Sequence, residues 1–340
     1  MSLLSQDGSV GLEFDTGVIR AVELRGSGGP VSLVTAGRVE IPRGAVVEGV
    51  VADVGVVAEA LERLWSSANI GGREVTLGIS NHGVLMRMAT FPKVPEKKLA
   101  QIVRFQSGEY FPIPLNQMVL DFAVVGESEG EGGPVFDVLL VAARRDLLDK
   151  SLDALQAAGL KPVVVDPSPL ALMRAVPEND LAGTVIFADI SNGLTTVMLT
   201  VNGVPRLSRV VPGFMNNSAN QLQPEAQEAA AAAEGLPGMS GQIDDIELWG
   251  PLLAEEIRSS VGYYLAQNNI GTVDRIIISG RGATAPGLDG LLQEQLEVRV
   301  LSARPVSVLG GYGKTRDVDM EKYGPEFAVS IGLALRGLED

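Results

Sequence analysis

The sequence predicts an α/β protein folded as two lobes, and three observations carry that expectation. The chain has 340 residues, more than one ordinary core accommodates. Strand-like and helix-like patterns alternate along its whole length. A short acid-to-glycine turn between two apolar runs recurs near the start of each half.

Composition narrows the class. Hydrophobic residues make up 46% and charged residues 20%, enough apolar mass for substantial cores. Aromatics are only 5%, so Ala, Val, Leu and Gly do most of the packing, which suits helices laid on sheets. With 42 acids against 27 bases the formal net charge is -15, spread along the chain, which argues against nucleic acid as a partner. The absence of cysteine excludes disulfides and thiolate chemistry, and the single histidine, His82, cannot build a metal-binding cluster. There is neither a basic-then-apolar leader nor a run of about 18 apolar residues. The expected location is therefore the cytoplasm, with any membrane contact made through a partner.

In the first half, 10–12 and 18–24 read as strands around Asp15-Thr16-Gly17, and 31–41 as a third strand completing a meander. A helix starting near Asp53 has that residue as N-cap and Val57, Leu61 and Leu64 as one apolar stripe. Residues 74–79 form a short strand. A second pattern follows: an extended segment at 84–91, then a helix at 96–110 with Leu99, Ile102 and Val103 at helical spacing. Strands at 119–125 and 136–142 flank the acidic, glycine-rich run 127–133, a solvated hairpin tip. Asp146 is expected to cap a helix running to residue 158, with Gly159 as its C-cap.

The second half opens with a strand at 184–188, a turn at Asp189 and a strand at 196–201. Asn202-Gly203, the preferred centre of a type I′ turn, leads into another strand at 205–211. Residues 217–240 are rich in Ala, Gln and Glu. A long helix at 246–267 should bend near Gly250-Pro251. A strand at 275–278 enters Gly280-Arg281-Gly282, followed by a helix at 286–295 and a strand at 298–301. The last helix, 327–338, is apolar on nearly every face and so should be buried.

The two turns carry the candidate chemistry. Glu13-Phe14-Asp15-Thr16-Gly17 and Asp189-Ile190-Ser191-Asn192-Gly193 each run acid, apolar, two small polar residues, glycine. A tight glycine hairpin presents backbone N–H groups to phosphate oxygens, and two facing hairpins would grip a triphosphate. Their acids, Asp189 through water and Glu13, could hold Mg²⁺. Either turn alone is equally an ordinary Asp/Gly hairpin. The loop Gly280-Arg281-Gly282-Ala283 could open a dinucleotide fold, but Leu301-Ser302-Ala303 stands where a ribose-binding acid would be wanted. A loop closing over an adenosine agrees better with the turns.

Turn, turn and glycine loop, in this order, resemble the superfamily of actin, Hsp70 and the sugar kinases. Within it, Glu109-Tyr110-Phe111-Pro112-Ile113-Pro114-Leu115 and Met118-Val119-Leu120-Asp121-Phe122 resemble the PilM family of type IV pilus assembly proteins. Residues 137–144, 157–162 and 273–276 continue the likeness, which spans about 9–340. The resemblance implies a two-lobed actin-like ATPase fold, a duplicated ribonuclease H-like unit with a small inserted β/α subdomain shared with FtsA. Lobe 1 would span 9–182, made of 9–83, 161–182 and the C-terminal helix at 319–340, with the insertion at 84–160. Lobe 2 would span 183–318, with its outer part at about 214–270.

The resemblance also implies a function. The chain would be a cytoplasmic scaffold of the pilus or type II secretion-like inner-membrane platform. Lobe 1 would hold the N-terminal cytoplasmic tail of a PilN-like bitopic membrane protein, beside other platform proteins, with Phe105, Tyr110 and Phe111 as apolar contacts. ATP and Mg²⁺ would lie between the lobes, against Glu13, Asp15, Thr16, Gly17, Arg20, Asp189, Ser191, Asn192, Gly193, Thr195, Gly280, Arg281, Gly282 and Ala283. Several of these depart from the family pattern, notably Asp15, Ser191 and Arg281. A Cβ and a carboxylate at position 15 crowd and repel a phosphate, so hydrolysis is expected to be weak or absent. The alternatives are an active ATPase, an FtsA-like division protein or a sugar-kinase-like enzyme. No catalytic base stands out for the enzymes, and no amphipathic C-terminal membrane helix for FtsA.

Overall fold

The computed structural model describes residues 8–26, 29–215, 246–268, 271–312 and 318–339. Two glycine hairpins organise it. β1 (Gly8–Asp15) and β2 (Val18–Arg25) pair antiparallel, and β3 (Ser32–Glu40) pairs with β2. After a small ribbon of β4 (Val46–Val47) and β5 (Val50–Val51), helix α1 (Val54–Ser67) leads to β6 (Glu74–Ile79), parallel to β1. Asp53 caps α1 by accepting from the Val56 N–H at 3.0 Å. Val57, Leu61 and Leu64 of its buried face are fully covered.

An inserted unit comes next. It contains β7 (Val84–Pro92), α2 (Glu96–Tyr110), β8 (Met118–Gly130) and β9 (Gly133–Arg144), and is followed by α3 (Arg145–Ala157), whose Ala154 and Leu155 pack into the same core as α1. Its sheet order is β7-β9-β8. It has its own core of Phe91, Leu99, Val103, Phe111, Met118, Val138 and Leu140. The acidic run stays in the ladder further than expected, with Glu127 opposite Phe136 and Glu129 opposite Pro134. Backbone pairing asks nothing of the side chains, which lie exposed. Asp146 is not the cap of α3. It sits inside the first turn and pairs with Arg144 at 2.6 Å, while Gly159 does take the left-handed conformation after the helix, φ 68.

β10 (Lys161–Pro167) returns to pair parallel with β6, and α4 (Ser168–Arg174) follows. The second half repeats the pattern. β11 (Thr184–Ile190), β12 (Leu194–Val201) and β13 (Val204–Pro212) form an antiparallel meander. The type I′ turn is formed, with φ 50 at Asn202 and 75 at Gly203. Residues 217–240 lie outside the described residues. The long helix α5 (Ile246–Gln267) contains Pro251 and precedes β14 (Arg275–Ser279), α6 (Leu288–Leu296) and β15 (Val300–Ser302). β16 (Gly311–Tyr312) crosses back to the edge of the first sheet beside β3. The chain closes with α7 (Met320–Tyr323) and α8 (Ala328–Arg336).

Apart from the edge strand β16 beside β3, the strand orders are β3-β2-β1-β6-β10 in one sheet and β13-β12-β11-β14-β15 in the other. In both, the first three strands are antiparallel and the last two parallel to the first. That is the ribonuclease H-like unit used twice, the two-lobed actin-like fold. Helix α8 runs between the sheets, and Val22, Leu24, Leu172, Val185, Phe187, Ile277, Ile331 and Leu333 share one core around it. Burial on every side explains why this helix is apolar all round. Its approach to α4 is close enough to need glycine: a Cβ on Gly332 would come within 1.7 Å of the Ala171 carbonyl oxygen.

Candidate functional site

The two acid-to-glycine hairpins meet where the sheets face each other. In the first, the register sets Glu13 opposite Arg20 and Asp15 opposite Val18, leaving Thr16-Gly17 as the turn. Gly17 takes φ 84, where an L side chain would be strained. In the second, Asp189 lies opposite Thr196 and Ile190 opposite Thr195. Gly193 is needed for space rather than for conformation, because a Cβ there would meet Thr16 Oγ1 at 2.2 Å. The turns therefore touch.

Hydrogen bonds join them. Asp15 Oδ1 accepts the backbone N–H of Thr16 at 2.7 Å and that of Asn192 at 3.2 Å. Asp15 Oδ2 accepts Asn192 Nδ2 at 3.3 Å and Arg20 Nη2 at 3.1 Å. Asn192 Nδ2 also donates to the Thr16 carbonyl at 3.0 Å, and Arg281 donates to Asn192 Oδ1 at 3.4 Å. Nearby, Ser80 and Thr196 share a hydroxyl hydrogen bond of 2.7 Å.

Behind the turns lies a buried charge cluster. The Arg20 side chain is 0% exposed and reaches Glu326 at 3.0 Å and Glu13 at 3.8 Å as well as Asp15. Arg38 adds a second cation to Glu326 at 3.0 Å. Ser330 donates to Glu13 at 3.4 Å. Asp189 is held within its own lobe, accepting from Ser279 Oγ at 2.7 Å and Ser191 Oγ at 3.3 Å. Burial pushes Glu13 up to about 8, against the pull of Arg20 and with help from the charges of Asp189, Asp15 and Glu326. Burial also raises Asp15, with Arg20 opposing, and raises Asp189, with Ser279 opposing. For Arg281, burial lowers the pKa. Burial pulls Arg20 down too, but Glu326, Asp15 and Glu13 outweigh it and keep the guanidinium charged.

The structure thus gathers Glu13, Asp15, Thr16, Gly17, Arg20, Asp189, Ser191, Asn192, Gly193, Gly280 and Arg281 into one interlobe region. Thr195 is fully buried in the hairpin, and its hydroxyl has no hydrogen-bond partner. Gly280 has φ 78 and donates its N–H to the Pro325 carbonyl at 3.0 Å. Gly282 and Ala283 are buried beside it in the short 3-10 turn Arg281–Thr284. Sequence reasoning missed Glu326, Arg38, Ser279, Ser80 and Thr196. Only Glu326 had a signal, an acid at the head of an otherwise apolar run. Its partner lies in a strand 306 positions away.

A triphosphate between the hairpins would need the backbone N–H groups of Thr16 and Asn192, and both already donate to the Asp15 carboxylate. The Asp15 carboxylate, 4% exposed and held by those same groups, would also crowd and repel a phosphate placed there. The residues present therefore do not fit a phosphate in this arrangement. Among the described residues, no group of three or more His, Asp or Glu side chains is placed to hold a metal ion.

The three aromatic residues expected to receive a peptide separate sharply. Phe105 is 88% exposed on α2, whereas Phe111 is 3% exposed and belongs to the core of the insertion. Tyr110 is partly buried, its ring 5.9 Å from that of Phe91. Phe111 is thus a packing residue, because the chain turns inward at the end of α2. The strand β8 lies at the edge of its sheet, with Val119 and Val124 exposed. No helix among the described residues is long and apolar enough to cross a membrane.

Comparison with known proteins agrees with this architecture. The family model described as type IV pilus assembly protein PilM matches residues 11–338. Among solved structures, the chain is similar to a PilM-PilN type IV pilus biogenesis complex, at 27% sequence identity and a TM-score of 0.80, covering 98% of this chain and 99% of that chain. It is also similar to the ethanolamine utilization protein EutJ from Carboxydothermus hydrogenoformans, at 14% identity and a TM-score of 0.54, covering 98% and 91%. The second likeness is one of fold alone.

Proposed function

Since the chain belongs to the PilM family of type IV pilus assembly proteins, we propose that it is a scaffold of the pilus inner-membrane platform, holding the cytoplasmic N-terminal tail of a PilN-like membrane protein. The observation that carries this reading is the likeness to the PilM-PilN complex, which extends over 98% of the chain at a TM-score of 0.80. The surface of the insertion supports it. Phe105 offers a large exposed apolar side chain, and the β8 edge offers unpaired backbone groups to an extended peptide. Backbone bonds at such an edge give affinity, and alternate side chains give specificity.

On this reading the protein works in the cytoplasm and reaches the membrane through its partner. Its role is to position other platform proteins, and ATP chemistry is not required for it. The test is a calorimetric titration with a synthetic peptide of the N-terminal tail of the PilN-like protein from the same organism. Binding with a Kd of roughly micromolar or tighter is expected. A peptide that fails to bind at any accessible concentration removes the main support.

A further inference from the structure

We propose that the Asp15 carboxylate takes the place of a bound phosphate between the two hairpins, so that the lobes are joined without nucleotide. The inference concerns the interlobe region and stands apart from the tail-binding reading.

The geometry is that of an anion site already filled. Asp15 lies at the end of β1, 4% exposed, and its two oxygens receive donors from both hairpins. They are the backbone N–H of Thr16 at 2.7 Å, the backbone N–H of Asn192 at 3.2 Å, Asn192 Nδ2 at 3.3 Å and Arg20 Nη2 at 3.1 Å. Converging backbone N–H groups of successive turns are the usual cradle for an anion. Every one of these partners is a donor, so the cradle offers a carboxylate four hydrogen bonds that oppose the upward pull of burial on its carboxyl.

Two further features make the join specific. Glycine at 193 lets the second turn press against Thr16, where any side chain would collide. Asn192 Nδ2 donates to the Thr16 carbonyl as well as to Asp15, so a single residue of the second lobe grips two groups of the first. Arg20, which holds Asp15 from behind, is itself anchored to Glu326 just before α8. The internal anion is thus tied into both lobes and into the C-terminal segment. In a protein whose lobes close on a nucleotide, removing the ligand opens this contact; here the anion is covalently part of the chain.

The experiment is a melting series on the full chain, wild type and Asp15→Gly, each alone, with inorganic phosphate, and with ATP plus Mg²⁺. A calorimetric titration of ATP plus Mg²⁺ accompanies it. The wild-type melting temperature should not move with either ligand. Asp15→Gly should melt lower alone and recover part of the loss with phosphate or ATP. Its ATP affinity should be at least about tenfold tighter than that of the wild type. Gly332→Ala, destabilised away from the hairpins, should show no anion rescue and so controls for general salt effects. If Asp15→Gly does not fold, Asp15→Ser serves, because it removes the charge and leaves room. A wild-type chain that binds ATP as tightly as either variant overturns the proposal. So does a variant that melts like the wild type and ignores phosphate.

Discussion

Arg20 and Glu326 stand 306 positions apart in the chain, yet Nε and Nη2 of the arginine both reach Glu326 Oε1, at 3.2 and 3.0 Å. The contact ties the first hairpin to the segment entering α8. Buried ion pairs add little net stability over a well-packed apolar substitute, but removing one member strands the other without solvent. Arg20→Met should therefore lower the unfolding free energy by about 3–5 kcal/mol. Arg20→Lys should cost less but not be silent, since an ammonium cannot serve Asp15 and Glu326 with a planar fork. Urea denaturation of the three chains checks both statements.

The acid cluster gives stability a pH dependence of definite sign. Burial lifts Glu13 from 4.5 to about 8, so the folded chain keeps a proton that the unfolded chain releases above about pH 4.5. Its stabilising contribution is complete below that value and is lost as the pH rises through about 8. The slope reaches at most about 1.4 kcal/mol per pH unit for one such group. Asp189 is raised by burial too and acts in the same direction. Thermal melts of the wild type should fall from mildly acidic to mildly alkaline pH. Glu13→Gln should flatten that slope, and an unchanged slope would contradict the assignment.

Gly332 is a packing requirement of the shared core. Its missing Cβ leaves room for the Ala171 carbonyl of α4, which a methyl would meet at 1.7 Å. Neither partner can give way alone, since both helices lie between the sheets. Gly332→Ala should cost about 1–3 kcal/mol or more through overpacking, despite its better helix propensity. A lowered melting temperature with an unchanged far-UV spectrum of the remaining folded chain is the expected result.

Phe105 and Phe111, six positions apart, should behave oppositely. Phe105→Ala removes a side chain that is 88% exposed, so stability should change by no more than about 0.5 kcal/mol while tail binding weakens. Phe111→Ala opens a cavity in the insertion and should cost about 3–5 kcal/mol. Parallel denaturation and peptide titration separate the two effects.

Much of this could be read from local patterns, because local physics decides it. The Asp53 cap needs only its own side chain and an N–H three residues on. Asn202-Gly203 is among the few pairs that accept two left-handed residues in succession. The periodicity of 96–110 matched α2 to the residue. Where several local solutions compete, the reading slipped: Asp146 had Arg144 as a closer partner than the helix end. The acidic run stayed in the ladder because backbone pairing does not consult the side chains.

By itself, then, the sequence determined the alternation of strands and helices, the duplicated hairpin with its acid and glycine, and the buried nature of the last helix. Each follows from periodicity or from conformations open to a few residue types. The tertiary structure alone decided what the hairpins do to each other. That Asp15 receives the Asn192 N–H, that Gly193 yields to Thr16, and that Arg20 finds Glu326 are contacts across 177 to 306 positions. Such contacts carry no local signature, because the donors and acceptors are satisfied only after two sheets, built independently, are brought face to face around α8.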